Sequence, residues 1–407
     1  MEINEFIETG AREGWLHKTD NVNRMRVDGR EQNLPVYEVR IDRLRYNVQN
    51  GRISTFVSRY HAEHGELPQD VEKRNAIIEH MIEEDNPERL KTTRLDIKAK
   101  GQQEVAIILS DGTVIDGNRR FTCLRMLSRE TSEPMYLRCY IFPDTYDAKA
   151  IKGLELEIQL GRDEKVNYDA ISRLVDIHTW VNEGPMTSVE YGTHANISKS
   201  DMRKYLEQID VLHDFLNFID APAAYHIAQD LKVQGPIEAL AAALRKCKNE
   251  DDREDMKQAV FANIVMGTAG DMTRHTRTLC ENIRSSQEGD GAYLDEQLEL
   301  AEQVMDKIEE LPSETPVTTE LMRDRVTADD DLKIELKLSN EKAQLKAGTR
   351  KIKNVQVRNV RDALSSLESI DEGVLSKLSP EQLADMENGL QSVLSLAERL
   401  KTLVSQR

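Results

Sequence analysis

Cysteine is scarce in this chain of 407 residues: Cys123, Cys139, Cys247 and Cys280 stand far apart, with no Cys-x-x-Cys pair. Neither a disulfide scaffold nor a zinc framework is signalled, and the pattern fits reduced cytoplasmic thiols. No run of about 18 apolar residues could span a bilayer, and no basic start followed by an apolar stretch marks a leader. A soluble, cytoplasmic protein with no membrane partner is expected. There is no Gly-x-x-x-x-Gly-Lys-Ser/Thr loop and no His-Glu-x-x-His pair, so neither a P-loop ATPase nor a zincin is supported. The nine histidines are scattered, and repeats and low-complexity tracts are absent.

The net charge of −18 argues against nucleic acid only if charge is spread evenly, and it is not. Residues 1–150 sum to −3, whereas residues 281–330 alone carry −11. Between Lys342 and Arg361 the balance inverts, with Lys342, Lys346, Arg350, Lys351, Lys353, Arg358 and Arg361 and no acid. Such a segment would contact a phosphate backbone, lie as a solvated helix face, or dock the acidic stretch.

The most informative stretch runs from Thr113 to Arg125. The apolar run Val105 to Leu109, the pair Asp111-Gly112 and then Thr113-Val114-Ile115 predict two short strands in a tight hairpin, since Asp-Gly supplies positive φ at little cost. Asp116-Gly117 ends the second strand. From Arg119 onward Phe121, Leu124 and Leu127 recur at three-residue spacing, a helix face, with Arg125 and Arg129 elsewhere on its surface. Arg119 and Arg120 therefore fall in the first turn, where the macrodipole disfavours each exposed cation by roughly 0.3–1 kcal/mol. A bound phosphate would offset that cost. The alternative is an ordinary surface helix whose arginines pair with nearby carboxylates.

The run Asp116-Gly117-Asn118-Arg119-Arg120 before an apolar helix resembles the signature turn of the ParB/sulfiredoxin-like superfamily, in which a Gly-x-x-Arg element cradles nucleotide phosphates. Pro35-Val36-Tyr37-Glu38-Val39-Arg40-Ile41 resembles the family's opening strand. Tyr46-Asn47-Val48-Gln49-Asn50-Gly51-Arg52-Ile53 resembles the polar segment that follows it, and Leu95-Asp96-Ile97 ahead of Gly101 resembles the short lead-in to the central hairpin. The likeness spans about residues 34–143. It implies an α/β mixed core that binds a nucleoside triphosphate, CTP or ATP, with Mg2+. Gly117 would let the backbone approach, Asn118 would donate a hydrogen bond, Arg119 and Arg120 would bind phosphate, and Asn50 and Arg52 would close the pocket from the other side. Sulfiredoxins carry a cysteine nucleophile where this chain has Asn118; Cys123 lies further along, so peroxiredoxin repair is not implied.

Downstream, Leu154-Glu155-Leu156-Glu157-Ile158-Gln159, then Arg162 and Val166-Asn167-Tyr168-Asp169, resembles an altered copy of the Glu-Asn-x-x-Arg region of ParB. There the glutamate helps hold magnesium and the arginine touches the triphosphate. Here the asparagine is missing, Leu156 stands where the acid would align, and Arg162 comes two residues late. Glu155 or Glu157 is left as the metal ligand and Arg162 as the triphosphate contact.

Next, Tyr168 to Val181 predicts an amphipathic helix that ends before Gly184-Pro185. Thr187 and Glu190 form a capping box for a short helix, a turn follows at Ala195-Asn196-Ile197, and Ser198 or Ser200 caps a second helix. That helix carries Met202, Tyr205, Leu206 and Ile209 on one side and Lys199, Arg203 and Lys204 toward its start. The pair resembles the helix-turn-helix after the ParB core and would place those three cations against double-stranded DNA. Generic helical packing shares the pattern.

The expected organisation is an arm over residues 1–33 with Trp15, the nucleotide-binding core over 34–144, and a helical region with the helix-turn-helix over 145–220. A helical domain over 221–311 follows, broken at Gly235-Pro236 and at Gly267-Thr268-Ala269-Gly270. Residues 312–407 hold a linker, the basic segment and a final helix, completing a mostly α-helical C-terminal half. In that last helix Ser379-Pro380-Glu381-Gln382 is an efficient start, and Leu383, Met386, Leu390, Val393, Ala397, Leu400 and Val404 trace a heptad seam. The seam predicts a homodimer, or packing within the chain; long divergent helices also leave room for a protein partner. The sequence thus favours a ParB-like DNA-binding switch or clamp. The enzyme alternative is a metal-dependent nuclease or NTP-hydrolysing effector of a mobile element or phage-defence system, with Asp116 and Glu155 or Glu157 as catalytic carboxylates. A scaffold with a silent core is the third reading.

Overall fold

The computed structural model describes residues 2–27, 30–144, 148–161, 169–312 and 317–406. Its N-terminal half is built on strands β1 (Leu16–Val27), β2 (Arg30–Arg40), β3 (Arg45–Tyr46), β4 (Ala106–Leu109), β5 (Thr113–Asp116) and β6 (Tyr136–Phe142). They form one sheet in the order β1-β2-β6-β4-β5-β3. β4 runs antiparallel to β5 and parallel to β6, so the sheet is mixed. All four β4 residues are buried because both faces of the sheet are covered.

The two-residue period of the strands sorts the side chains. Ala106 and Ile108 join Val39, Val114 and Leu137 on one face, closed by Phe121 of helix Asn118–Thr131 and Ile78 of helix Val71–Asp85. Ile107 and Leu109 join Val36, Ile115 and Phe142 on the other, closed by Leu154 of helix Ala148–Gly161. Phe121 is wholly buried, a burial that stabilises by about 1.5–3 kcal/mol. A third core runs through the helices from Leu156 to Leu336, so the helices before and after Asp220 share one interior.

The expected hairpin is present, with Gly112 at φ +85° and Asp111 Oδ1 accepting from the Thr113 amide at 2.8 Å. The expected capping box forms at Thr187/Glu190, and the expected helix start at Ser379 is also a capping box, with Gln382. The break at Gly267 to Gly270 separates helices Glu250–Met266 and Met272–Gln287, and Asp271 caps the second by accepting from the Arg274 amide at 3.0 Å.

Three local readings change. Residues 2–27 form helix Ile3–Glu13 and strand β1 rather than an arm, with Trp15 buried against Phe6. β1 carries few apolar side chains because it is an edge strand, so its sequence hides it. Leu95, Asp96 and Ile97 lie within helix Pro87–Lys100, which Asn86 caps and Pro87 opens, not in an extended lead-in. Arg125 is buried, not on the surface: Nε donates to Glu79 and Nη2 to Glu72, each at 2.8 Å. Arg162, Val166, Asn167, Tyr168 and the linker residues Ser313 to Pro316 lie outside the described residues, as do the side chains of Arg350, Lys351 and Lys353.

The chain divides into two compact units, Met1–Glu341 and Lys342–Arg407. In the second, helix Pro380–Ser405 leaves Leu383, Leu390, Val393 and Leu400 each nearly half exposed. Among the described residues no helix is long and apolar enough to cross a membrane.

Candidate functional site

The Asp116 to Arg120 turn is held by backbone geometry. Gly117 has φ +98°, and a Cβ there would come within 2.7 Å of the Ala106 Cβ. Glycine is thus required for β5 to turn tightly beside β4, and Gly117 also lines the pocket described next. Helix Asn118–Thr131 consequently starts without a side-chain cap, leaving its first amides and the positive end of its dipole at the turn. Across from it, Asn50 caps the short turn Gly51–Ile53 by accepting from the Arg52 amide at 3.2 Å. Asn50 therefore positions Arg52.

These elements border a pocket of about 850 Å³ whose lining includes Arg52, Arg89, Asn118, Arg119, Asp96 and Ile97. That volume lies within the usual range for small-molecule sites. Arg119 is largely buried and its pKa is lowered, first by that burial and then by repulsion from Arg52 and Arg89. Asp85 Oδ2, 3.6 Å from Arg119 Nη2, opposes them. Burial raises the pKa of Asp85, against the pull of Arg119 and Arg52. Three guanidinium groups therefore converge where helix Asn118–Thr131 begins, beside one flank of helix Pro87–Lys100. Asn118 Oδ1, Arg119 Nε and Arg120 Nε are buried with no hydrogen-bond partner among the described residues, and buried polar groups seldom stay so.

Arg120 follows the alternative reading of the turn. It donates to Glu104 at 2.7 Å and to Asp116 at 3.0 Å, which makes it a clamp between the loop and β5. Asp116, Glu155 and Glu157 are each engaged by a different partner: Arg120, Lys152 Nζ at 3.1 Å, and His194 Nδ1 at 3.0 Å. No three His, Cys, Asp or Glu side chains gather as a metal site among the described residues.

In the helix pair Ser188–His194 and Lys199–Phe218, the three expected cations lie in the first six residues of the second helix. Lys204 pairs with Asp201 at 2.8 Å and Arg203 with Glu207 at 3.0 Å. Gly192 lets the helices close, since a Cβ there would sit 3.2 Å from the Ile197 carbonyl oxygen.

Arg89 and Asp85 escaped the sequence reading. The signal was Asn86-Pro87, a cap and a first-turn proline that place Arg89 in a helix's first turn, the same awkward position that drew attention to Arg119. Cys123 is buried with its Sγ 3.6 Å from the Leu90 carbonyl oxygen, and burial raises its thiol to about 11. Comparison with protein-family models and with curated proteins finds no match for this chain.

Proposed function

We propose that the arginine pocket binds the phosphates of a nucleoside triphosphate, CTP or ATP with Mg2+, and that the chain is a ParB-like DNA-binding switch. The observation that carries the reading is the convergence of Arg52, Arg89 and Arg119 at an uncapped helix start. Grouping like charges in a part-buried site costs free energy that an anion recovers, and guanidinium groups match phosphate oxygens in pairs. Asn118, with its amide buried at the same turn, is suited to donate to the ligand, while Arg120 shapes the wall.

DNA contact falls to Lys199, Arg203 and Lys204, and the acidic partners of Arg203 and Lys204 would be exchanged for backbone phosphates when the second helix meets the groove. The exposed seam of Pro380–Ser405 would pair two copies. The test is calorimetric titration of CTP, ATP and GTP with magnesium into the full chain and an Arg52→Ala/Arg119→Ala variant, with and without duplex DNA. Saturable binding lost in the variant is expected. Binding that survives the double substitution, or no binding to the wild type, would remove the pocket from the switch.

A further inference from the structure

Lys152 has no exposed surface, although a buried ammonium is costly unless it is tightly held. It donates to Glu155 at 3.1 Å and to Asp176 at 2.7 Å, and lies over the Trp180 ring at 5.6 Å. Asp176 also accepts from the Tyr191 hydroxyl at 2.5 Å. Neither phosphate nor DNA binding uses this cluster. It joins helix Ala170–Ile177, through Asp176, to the first helix of the candidate DNA-reading pair, through Tyr191.

The other contacts of Ala170–Ile177 complete the picture. Arg173 Nη1 donates to the Tyr205 hydroxyl at 3.3 Å, so the helix holds the second member of the pair as well. Toward its other end the helix neighbours groups that touch the pocket's arginines. The turn Gly51–Ile53, which carries Arg52, packs on it. Its cap, Asp169, is near enough to Asp85 that the two negative charges repel and help raise the Asp85 pKa, after burial. Eight residues of helix span about 12 Å, enough to link the two sites through one rigid element. Ile171, Leu174 and Ile177 are almost wholly buried, so the helix cannot turn without moving what it touches.

The geometry points to Ala170–Ile177 as a lever that transmits occupancy of the arginine pocket to the helix pair Ser188–His194 and Lys199–Phe218. This rests on the anion reading of the pocket. An anion that draws Arg52 and Arg119 toward itself changes the field on Asp85 and shifts the Gly51–Ile53 turn. The lever carries that shift through Asp176 to Tyr191 and through Arg173 to Tyr205. Tyr191, Arg173 and Lys152 are positioning residues that touch no ligand.

Hydrogen exchange on the full chain tests it, with inorganic tripolyphosphate, CTP and ATP, each with magnesium, as probes. At least one probe should slow exchange at Asn118 to Phe121. In the wild type, exchange in the two distal helices should also change, by roughly 5-fold or more, the lower end of typical site-to-site coupling. Tyr191→Phe and Arg173→Ala should keep the pocket protection and the probe affinity while losing the distal change. A distal change that persists in both variants, or pocket protection without any distal change in the wild type, overturns the lever alone. No pocket protection by any probe overturns the anion reading and the lever with it.

Discussion

Arg119 and Asp85 stand 3.6 Å apart, near enough to attract and too far for a hydrogen bond. The carboxylate thus moderates the arginine cluster without using up its donors. Asp85→Asn keeps the shape and removes the charge, so tripolyphosphate should bind about 3–10-fold tighter, each tenfold being about 1.4 kcal/mol. Arg119→Ala should weaken it by about 10–100-fold, since hydrogen bonds to charged groups contribute about 1.5–3 kcal/mol. Calorimetry measures both. Equal affinities in the wild type and the two variants would place the ligand elsewhere.

Gly117→Ala meets two obstacles, a φ of +98° and a contact of 2.7 Å with the Ala106 Cβ. Overpacking and positive φ together should cost about 1–3 kcal/mol. Gly270→Ala, with nothing within 4 Å of the added carbon, is the control. Urea midpoints should separate the two variants; coincident midpoints would show that the turn relaxes freely.

The central hairpin, the helix after it, both capped helix starts and the helix pair were legible because each rests on local chemistry that a short window contains: Asp111-Gly112, Thr187 with Glu190, Ser379 with Pro380 and Gln382. The arginine pair at the turn stood out in the sequence, yet its two members have different surroundings. Nothing near Arg120 in sequence announces Glu104 as its partner, and nothing near Arg119 announces Arg89. Long-range pairing also hid β1, whose polar residues pair with β2 at the sheet's edge, and buried Arg125 beside Glu79, 46 positions away. Glu155 resembled a metal ligand by its neighbours in sequence; Lys152 is a local partner three positions before it, whereas the burial of the pair and its link to Asp176 come only with the tertiary fold.

Glu190 links the helix pair to acid. It accepts from Lys149 at 2.6 Å and from the Thr187 amide at 2.8 Å, and these contacts, Lys149 first, hold its carboxyl down to about 2 from an ordinary 4.5. The folded value lies below the unfolded one. Its stabilisation is therefore fully present above the ordinary value and is lost as pH falls toward about 2. Exchange in Ser188–His194 should speed up across that window in the wild type. Glu190→Gln should flatten this local dependence, and an unchanged profile would show that another group governs it.

The final helix carries its charges unevenly: Glu381, Asp385 and Glu387 lie in its first third, whereas Arg399 and Lys401 outnumber Glu398 near its end. Its apolar side chains Leu383, Leu390, Val393, Leu394, Leu400 and Leu403 are each 43–55% exposed. With Leu367 and Leu375 some of them border a hollow of about 720 Å³. A contiguous apolar face along about 39 Å of helix exceeds what a soluble monomer ordinarily leaves in water. A second copy laid antiparallel sets acidic start against basic end, whereas a parallel copy sets Glu387 and Asp385 against themselves. Leu390→Asp should therefore convert a dimer to a monomer in sedimentation equilibrium. Arg399→Glu/Lys401→Glu should weaken the dimer by about 5–30-fold, as one or two kcal/mol of lost ion pairing would. Adding Asp385→Lys/Glu387→Lys to that variant should restore it. A wild type that sediments as a monomer removes the self-pairing, and a dimer that the charge swap fails to rescue removes the antiparallel arrangement.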